Sequence, residues 1–199
     1  MRVFIALLPD KIFLESLLDS IEPAKEKYSD LRWVPEENLH ITLAFLGEIN
    51  RENLSAITGA AEQTSAAVQT NFAQQTSAAR REAAHGIHVT SQRLFTLPRN
   101  RPANVLAAGF DSGGEQISFL ARGLVKKLNE CGMLLNENEK NHLPHITVAR
   151  KGRKEMLIAK DDLSIHAEGK VISLGVFESI LSGRGAVYNL LASFPLITG

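Results

Sequence analysis

The chain has 199 residues, 44% of them hydrophobic, 22% charged and 6% aromatic, with 22 basic residues against 22 acidic. This is the composition of an ordinary globular protein that can bury a sizeable core, and it argues against a disordered, fibrous or membrane-spanning chain. The balanced charge excludes a global positive field of the kind that holds long nucleic acid, so any nucleic-acid partner would be bound locally, in a cleft. Cys131 is the only cysteine, which leaves neither an internal disulfide nor a Cys-based zinc site and fits a reducing cytoplasm. The opening MRVFIALLPD is too short for a signal-peptide core, and no run approaches the ~20 apolar residues that span a bilayer. A cytoplasmic protein is expected.

Residues Arg2 to Leu8 read as a buried strand, stopped by Pro9-Asp10, with Asp10 as the N-cap of a helix. Phe13, Leu14, Leu17, Leu18 and Ile21 recur at three- and four-residue spacing, so this helix runs to about Tyr28 and packs on a sheet. Leu31 to Val34 is a short strand interrupted by Pro35, and Leu39 to Leu46 a stronger one closed by Gly47. Asn50 is placed to cap a second helix over about Arg51 to Val68. From about Glu62 to Ala84 the chain is rich in Ala, Gln, Ser and Thr, which suits a helix end or a loop. Ile87 to Leu97 alternates as a strand, Pro98 to Pro102 is a turn, and Val105 to Phe110 is a further apolar stretch. A Gly-Gly turn then introduces a helix with Ile117, Leu120, Leu124, Val125 and Leu128 on one face and Gly132 at its C-terminal end. Leu143 to Ala149, Val171 to Ser182 and Ala186 to Phe194 are strand-like, the last two joined through Gly183-Arg184-Gly185 as a hairpin. The order of elements suggests an α+β protein with two similar halves.

A short internal repeat supports two halves. His40-Ile41-Thr42-Leu43-Ala44 returns 105 residues later as His145-Ile146-Thr147-Val148-Ala149. Side chains alternate along a strand, so His and Thr share one face, roughly 6–7 Å apart, while the aliphatic residues point into a core. If the halves pack about a pseudo-twofold axis, two imidazoles and two hydroxyls surround one small group. Histidine titrates near neutrality, so one imidazole can accept a proton while the other donates one. In-line displacement at phosphorus needs that pair: water loses a proton as the departing sugar oxygen gains one. Threonine hydroxyls can hydrogen-bond the phosphoryl oxygens, whose charge grows in the transition state. A single His-x-Thr in a strand means little, but two copies in matching places of two halves point to chemistry.

These motifs, with the opening RVFIALLP, RWVPEENLHITLAFLGEI (Arg32 to Ile49), LPHITVAR (Leu143 to Arg150) and FESILSGRGAVYNLLASFPL (Phe177 to Leu196), resemble the 2H phosphoesterase superfamily. Within it they resemble the LigT-like RNA 2',3'-cyclic phosphodiesterases, also called 2'-5' RNA ligases. The resemblance implies a bilobal α+β fold: two pseudo-twofold-related antiparallel sheets, helices on the outside and a central cleft, formed by residues 1–199 as one bilobal domain. It implies His40 as general acid toward the departing 3'-oxygen, His145 as general base toward water, a 2'-phosphate product, and Thr42 and Thr147 as phosphate holders. The reverse joining of a 2'-phosphate end to a 5'-hydroxyl is an expected side activity. The partners expected are RNA ends or small nucleotides bearing a 2',3'-cyclic phosphate, with no membrane, no cofactor and no metal, and the chain is expected to be a monomer.

Arg150 follows the second motif, where family members often carry arginine. On a regular strand it would share Val148's face, so it reaches the cleft only through a twist or bulge; the alternative is a surface arginine. Trp33 is a candidate for stacking on a base, although a lone tryptophan is more often a core residue. Phe45 shares a face with Ile41 and Leu43 on a regular strand and is expected in the core. Tyr188 is a cleft residue by resemblance or an ordinary strand tyrosine. Arg150, Lys151, Arg153 and Lys154 form a basic cluster that either steers RNA ends or is a solvated face. His142 with His145, and His85 with His88, are three apart and so on opposite strand faces, which argues against a metal site. Gly183-Arg184-Gly185 lacks the pattern of a dinucleotide fingerprint. The rival to an enzyme is a non-catalytic module that holds a nucleoside monophosphate in the same cleft.

Overall fold

The computed structural model describes residues 1–72, 86–98, 102–133, 135, 143–182 and 185–196. Its strands are β1 (Arg2–Pro9), β2 (Arg32–Trp33), β3 (Ile41–Glu48), β4 (Ile87–Leu97), β5 (Val105–Ala108), β6 (Ile146–Arg150), β7 (Ser164–Ser182) and β8 (Gly185–Pro195). The helices are α1 (Lys11–Lys27), α2 (Leu54–Phe72) and α3 (Gly114–Glu130). Every described strand pairing is antiparallel, in the order β1-β3-β6-β5-β4-β7-β8, with β2 on β6 and β1 also on β7.

Two half-sheets emerge from that order, and both use β7. Its first part pairs with β4, which continues to β5 and β6; its second part pairs with β1 and β8, and β1 continues to β3. Val171 is the junction, paired with Ile87 on one side and Pro9 on the other. A second junction is the single pair Ile41 with Ile146, between β3 and β6. The bilobal α+β expectation therefore holds, with the lobes joined into one continuous sheet.

β7 begins at Ser164, seven residues before the Val171 start read from the sequence. Of the residues of the missed part that face the core, Ile165 is large and partly buried, but Ala167 and Gly169 are small and buried, so hydrophobic alternation is faint there. These two are small because α1 lies on them. A Cβ at Gly169 would stand 2.7 Å from the Cβ of Phe13.

Asp10 caps α1 as expected, its Oδ1 accepting from the Phe13 N–H at 2.8 Å, and Phe13, Leu17 and Ile21 are buried. α1 follows β1 yet packs on the first part of β7, where Ser16 and Ser20 donate to the His166 carbonyl. α3 follows β5 yet packs on β3 and α2. Each half thus sends its helix across to the other, which is the pseudo-twofold relation in the helices.

Asn50 does not cap α2: its Nδ2 turns to Glu52 Oε1 at 3.4 Å, and a 3-10 turn, Arg51–Asn53, leads into the helix. α2 continues to Phe72, past the expected end at Val68. The remainder of the polar stretch to Ala84 lies outside the described residues, as do most of the Pro98 to Pro102 turn and the tip of the β7–β8 hairpin.

Candidate active site

His40 and His145 each stand one residue ahead of a strand, β3 and β6. Ile41, Leu43, Ile146 and Val148 are all buried in the core, so the chain's alternation turns Thr42 and Thr147 to the opposite surface with the histidines. The antiparallel pair Ile41–Ile146 lies at the local twofold. Counting one residue to either side sets His40 opposite Thr147 and Thr42 opposite His145. Ladder pairing goes no further, and the strands part to open the cleft between the half-sheets.

Both imidazoles are oriented by the same device. His40 Nδ1 lies 2.7 Å from the Asn38 carbonyl and His145 Nδ1 lies 2.8 Å from the Leu143 carbonyl. A carbonyl oxygen only accepts, so each Nδ1 carries the hydrogen and each Nε2 is left to exchange protons.

The surroundings of the two rings differ. His40 packs on Phe4, ring centroids 5.0 Å apart, and meets Tyr188 edge-on at 5.3 Å. Burial there pushes its pKa below the ordinary histidine value; the Asn38 hydrogen bond opposes this, while the positive charges of Arg150 and His145 reinforce it. His145 instead meets Phe95 edge-on at 6.3 Å.

A bulge follows the threonine in both copies. On β3 the partners step from Thr42–Ala6 to Ala44–Ile5, leaving Leu43 as the extra residue; on β6 they step from Thr147–Ala107 to Ala149–Leu106, leaving Val148 extra. An extra residue flips the facing of everything after it. Arg150 is thereby returned to the threonine face, which accounts for its action on His40. The same flip overturns the core expectation for Phe45, which is 64% exposed and pairs with Phe4 across β1 on the cleft face. Phe45 and Arg150 occupy equivalent positions, five residues after their histidines. That equivalence was the available signal: whichever way one pointed, so would the other.

Tyr188 is beside His40, held also by Phe4 at 4.9 Å. Trp33 is not brought into this set. It pairs with buried Ala149, packs on the core and donates Nε1–H to the Tyr28 carbonyl at 3.2 Å, which places it on the other face of β6 from Thr147. Lys151 continues the chain beyond Arg150, and Arg153 and Lys154 are exposed. His88 pairs with Glu168 at 3.1 Å in an exposed position, and His85 and His142 lie outside the described residues. Among the described residues no three His, Cys, Asp or Glu side chains are grouped to hold a metal ion, and no helix is long and apolar enough to cross a membrane.

Comparison with known proteins adds three findings. Residues 13–73 match the family model "LigT like Phosphoesterase". The RNA 2',3'-cyclic phosphodiesterase of Archaeoglobus fulgidus is 26% identical over 98% of this chain and 99% of its own. Two solved structures share the fold: TT0787 of Thermus thermophilus, at TM-score 0.76 and 22% identity over 100% of this chain and 99% of that one, and E. coli LigT complexed with 3'-AMP, at 0.68 and 20% over 98% and 97%. With two His-x-Thr strands set about a local twofold, an end-to-end curated relative and this fold, the chain is similar to the LigT-like phosphoesterases.

Proposed function

We propose that this protein is an RNA 2',3'-cyclic phosphodiesterase that opens the cyclic phosphate by proton transfer between His40 and His145, leaving a 2'-phosphate and a 3'-hydroxyl. The observation that carries it is the paired orientation of the two rings: each donates Nδ1–H to a backbone carbonyl two residues upstream, so that two Nε2 atoms serve one cleft. A module that only bound a nucleotide would have no need of two such groups. The curated relative named above supplies the substrate class.

A water oxygen attacks phosphorus as His145 Nε2 takes its proton. The bond from phosphorus to the 3'-oxygen breaks, and that oxygen takes a proton from His40 Nε2. Each histidine then holds the other's starting charge, and exchange with solvent resets the pair. The hydroxyls of Thr42 and Thr147 and the Arg150 guanidinium face the phosphoryl oxygens, where negative charge builds. Burial makes His40 a stronger acid than ordinary histidine, and the bound phosphodiester's negative charge offsets Arg150 so that it holds its proton until transfer. With a 5'-hydroxyl in place of water, the same attack on the cyclic phosphate, with His145 taking the hydroxyl proton and His40 protonating the departing 3'-oxygen, joins RNA ends through a 2'-5' bond.

The test is turnover of RNA ends and nucleosides carrying a 2',3'-cyclic phosphate, with excess chelator and with the product identified. A 2'-phosphate formed at an unchanged rate under chelation is expected. A 3'-phosphate would reverse the direction of opening, restoration by a divalent ion would sink the histidine-pair mechanism, and tight nucleotide binding without turnover would favour the binding module.

A further inference from the structure

Against His145 lies a cavity of about 1270 Å³ that the mechanism above does not use. It reaches the histidine through Phe95, whose ring meets the imidazole, and through Leu143 and Pro144, the two residues before it. Its far side is α3, which contributes Phe119 and Arg122, and Arg93 of β4 completes it. Sites for one small molecule occupy roughly 300–1000 Å³, so the space exceeds what a single nucleotide requires.

The floor is fixed. It is the loop 109–113 between β5 and α3, pressed onto β4: Asp111 N–H donates to the Thr90 carbonyl at 2.9 Å, Asp111 Oδ2 accepts from the Gln92 N–H at 2.7 Å, and the Ser112 and Thr90 hydroxyls are 2.9 Å apart. Gly113 has φ of 76°, and a Cβ there would stand 2.5 Å from the His88 carbonyl oxygen, so only glycine permits this approach. The lining is mixed. Phe119 and Leu143 are 44% and 45% exposed, an apolar pair partly open to solvent. Arg93 and Arg122 are exposed and form no ion pair among the described residues. Of the two acids nearby, Asp111 is committed to the Gln92 amide, and Glu115 in the first turn of α3 is the other.

Aromatic surface beside arginines on a rigid floor is what single-stranded nucleic acid uses: bases stack on rings and phosphates meet cations. Chemistry fixes the polarity of the strand. A 2',3'-cyclic phosphate closes the 3' end, so the rest of an RNA strand can leave the catalytic pair only through the 5'-oxygen of the terminal ribose. We propose that this cavity is the path of that strand, with Phe119 stacking a base upstream of the cyclic phosphate and Arg93 and Arg122 contacting its phosphates. The substrate is then a single-stranded RNA end rather than a free cyclic mononucleotide. This rests on the phosphodiesterase activity proposed above.

The experiment measures kcat/KM for cyclic-phosphate substrates from one to about four nucleotides long, on the full chain. The native protein should gain on the order of tenfold when an upstream nucleotide is added. Phe119→Ala should lose most of that gain and keep the mononucleotide rate, which also reports that the variant is folded. Arg93→Gln with Arg122→Gln should flatten the salt dependence for the oligonucleotide by roughly 0.7 in log-log slope for each phosphate no longer neutralised. Equal kcat/KM at every length, or variants that slow mononucleotide and oligonucleotide alike, would overturn the strand path while leaving the phosphodiesterase intact. Absence of turnover on every length would remove both.

Discussion

The two motif strands have the same backbone and different ends. Each runs histidine, aliphatic, threonine, a bulged aliphatic and alanine, and each bulge returns the next residue to the cleft; that residue is Phe45 in one copy and Arg150 in the other. One wall is therefore aromatic, with Phe4, Phe45 and Tyr188 around His40, and the other carries the cation. The repeated part supplies what the two proposed proton transfers would share, an oriented imidazole and a hydroxyl. The unrepeated part breaks the electrical symmetry, since Arg150 bears on His40 from the opposite strand. A duplicated scaffold can thus hold two unlike roles by changing one residue after a shared bulge.

The largest effects should come from the histidines, each replacement by alanine lowering kcat/KM on the order of 10²–10⁴-fold. A substrate with p-nitrophenolate as leaving group needs no acid, so it should restore much of the rate to His40→Ala and none to His145→Ala; the opposite pattern would exchange the roles. Next come the threonines. Thr42→Val and Thr147→Val should each cost on the order of 10²-fold in kcat, and unequal losses would show which wall holds the phosphate more tightly.

Arg150→Met should cost on the order of tenfold, with a second signature in the pH profile. His40 titrates below the ordinary histidine value, first because it is buried and in lesser part because Arg150 disfavours its charged form. Removing that charge favours protonation, so the limb of kcat/KM governed by His40 should move to higher pH. With His40 as acid that limb is the basic one, where activity is lost as pH rises. Phe45→Met should leave the limb in place, because Phe45 carries no charge; a shift as large as that of Arg150→Met would erase the contrast between the walls. The smallest effect is expected at Trp33→Phe, which removes the N–H bond to the Tyr28 carbonyl. Its denaturation midpoint should fall by the equivalent of about 0.5–1.5 kcal/mol with turnover unchanged, and a slowed reaction would return Trp33 to the site.

Much of this was legible in the residues. The His-x-Thr repeat marked both strands, Asp10 marked the start of α1, and the periodicity of Ile117, Leu120, Leu124 and Leu128 marked α3, because each signal is local. Two things were hidden for reasons that are not local. Bulges at Leu43 and Val148 come from how each strand pairs with a distant neighbour, and a buried aliphatic residue looks the same whether it is bulged or paired; Phe45 was misplaced on that account. The first part of β7 was hidden because helix α1 requires Ala167 and Gly169 beneath it, and small residues carry little hydrophobic signal. The cavity beside His145 was equally silent, since its lining comes from β4, the loop 109–113, α3 and the residues before β6.

The sharing of β7 has a consequence for how the protein comes apart. Amides near Val171 belong to two ladders at once, so neither lobe can release its share of the strand without exposing the other's. Cooperative units usually follow contiguous supersecondary blocks, and here the block is the junction rather than a lobe. Hydrogen exchange should find the slowest amides along the middle of β7, exchanging together with those of β1 and β4, and denaturation should show one transition with no half-folded species. The symmetry visible in the active site would then be absent from the unfolding: two matching halves, one indivisible opening.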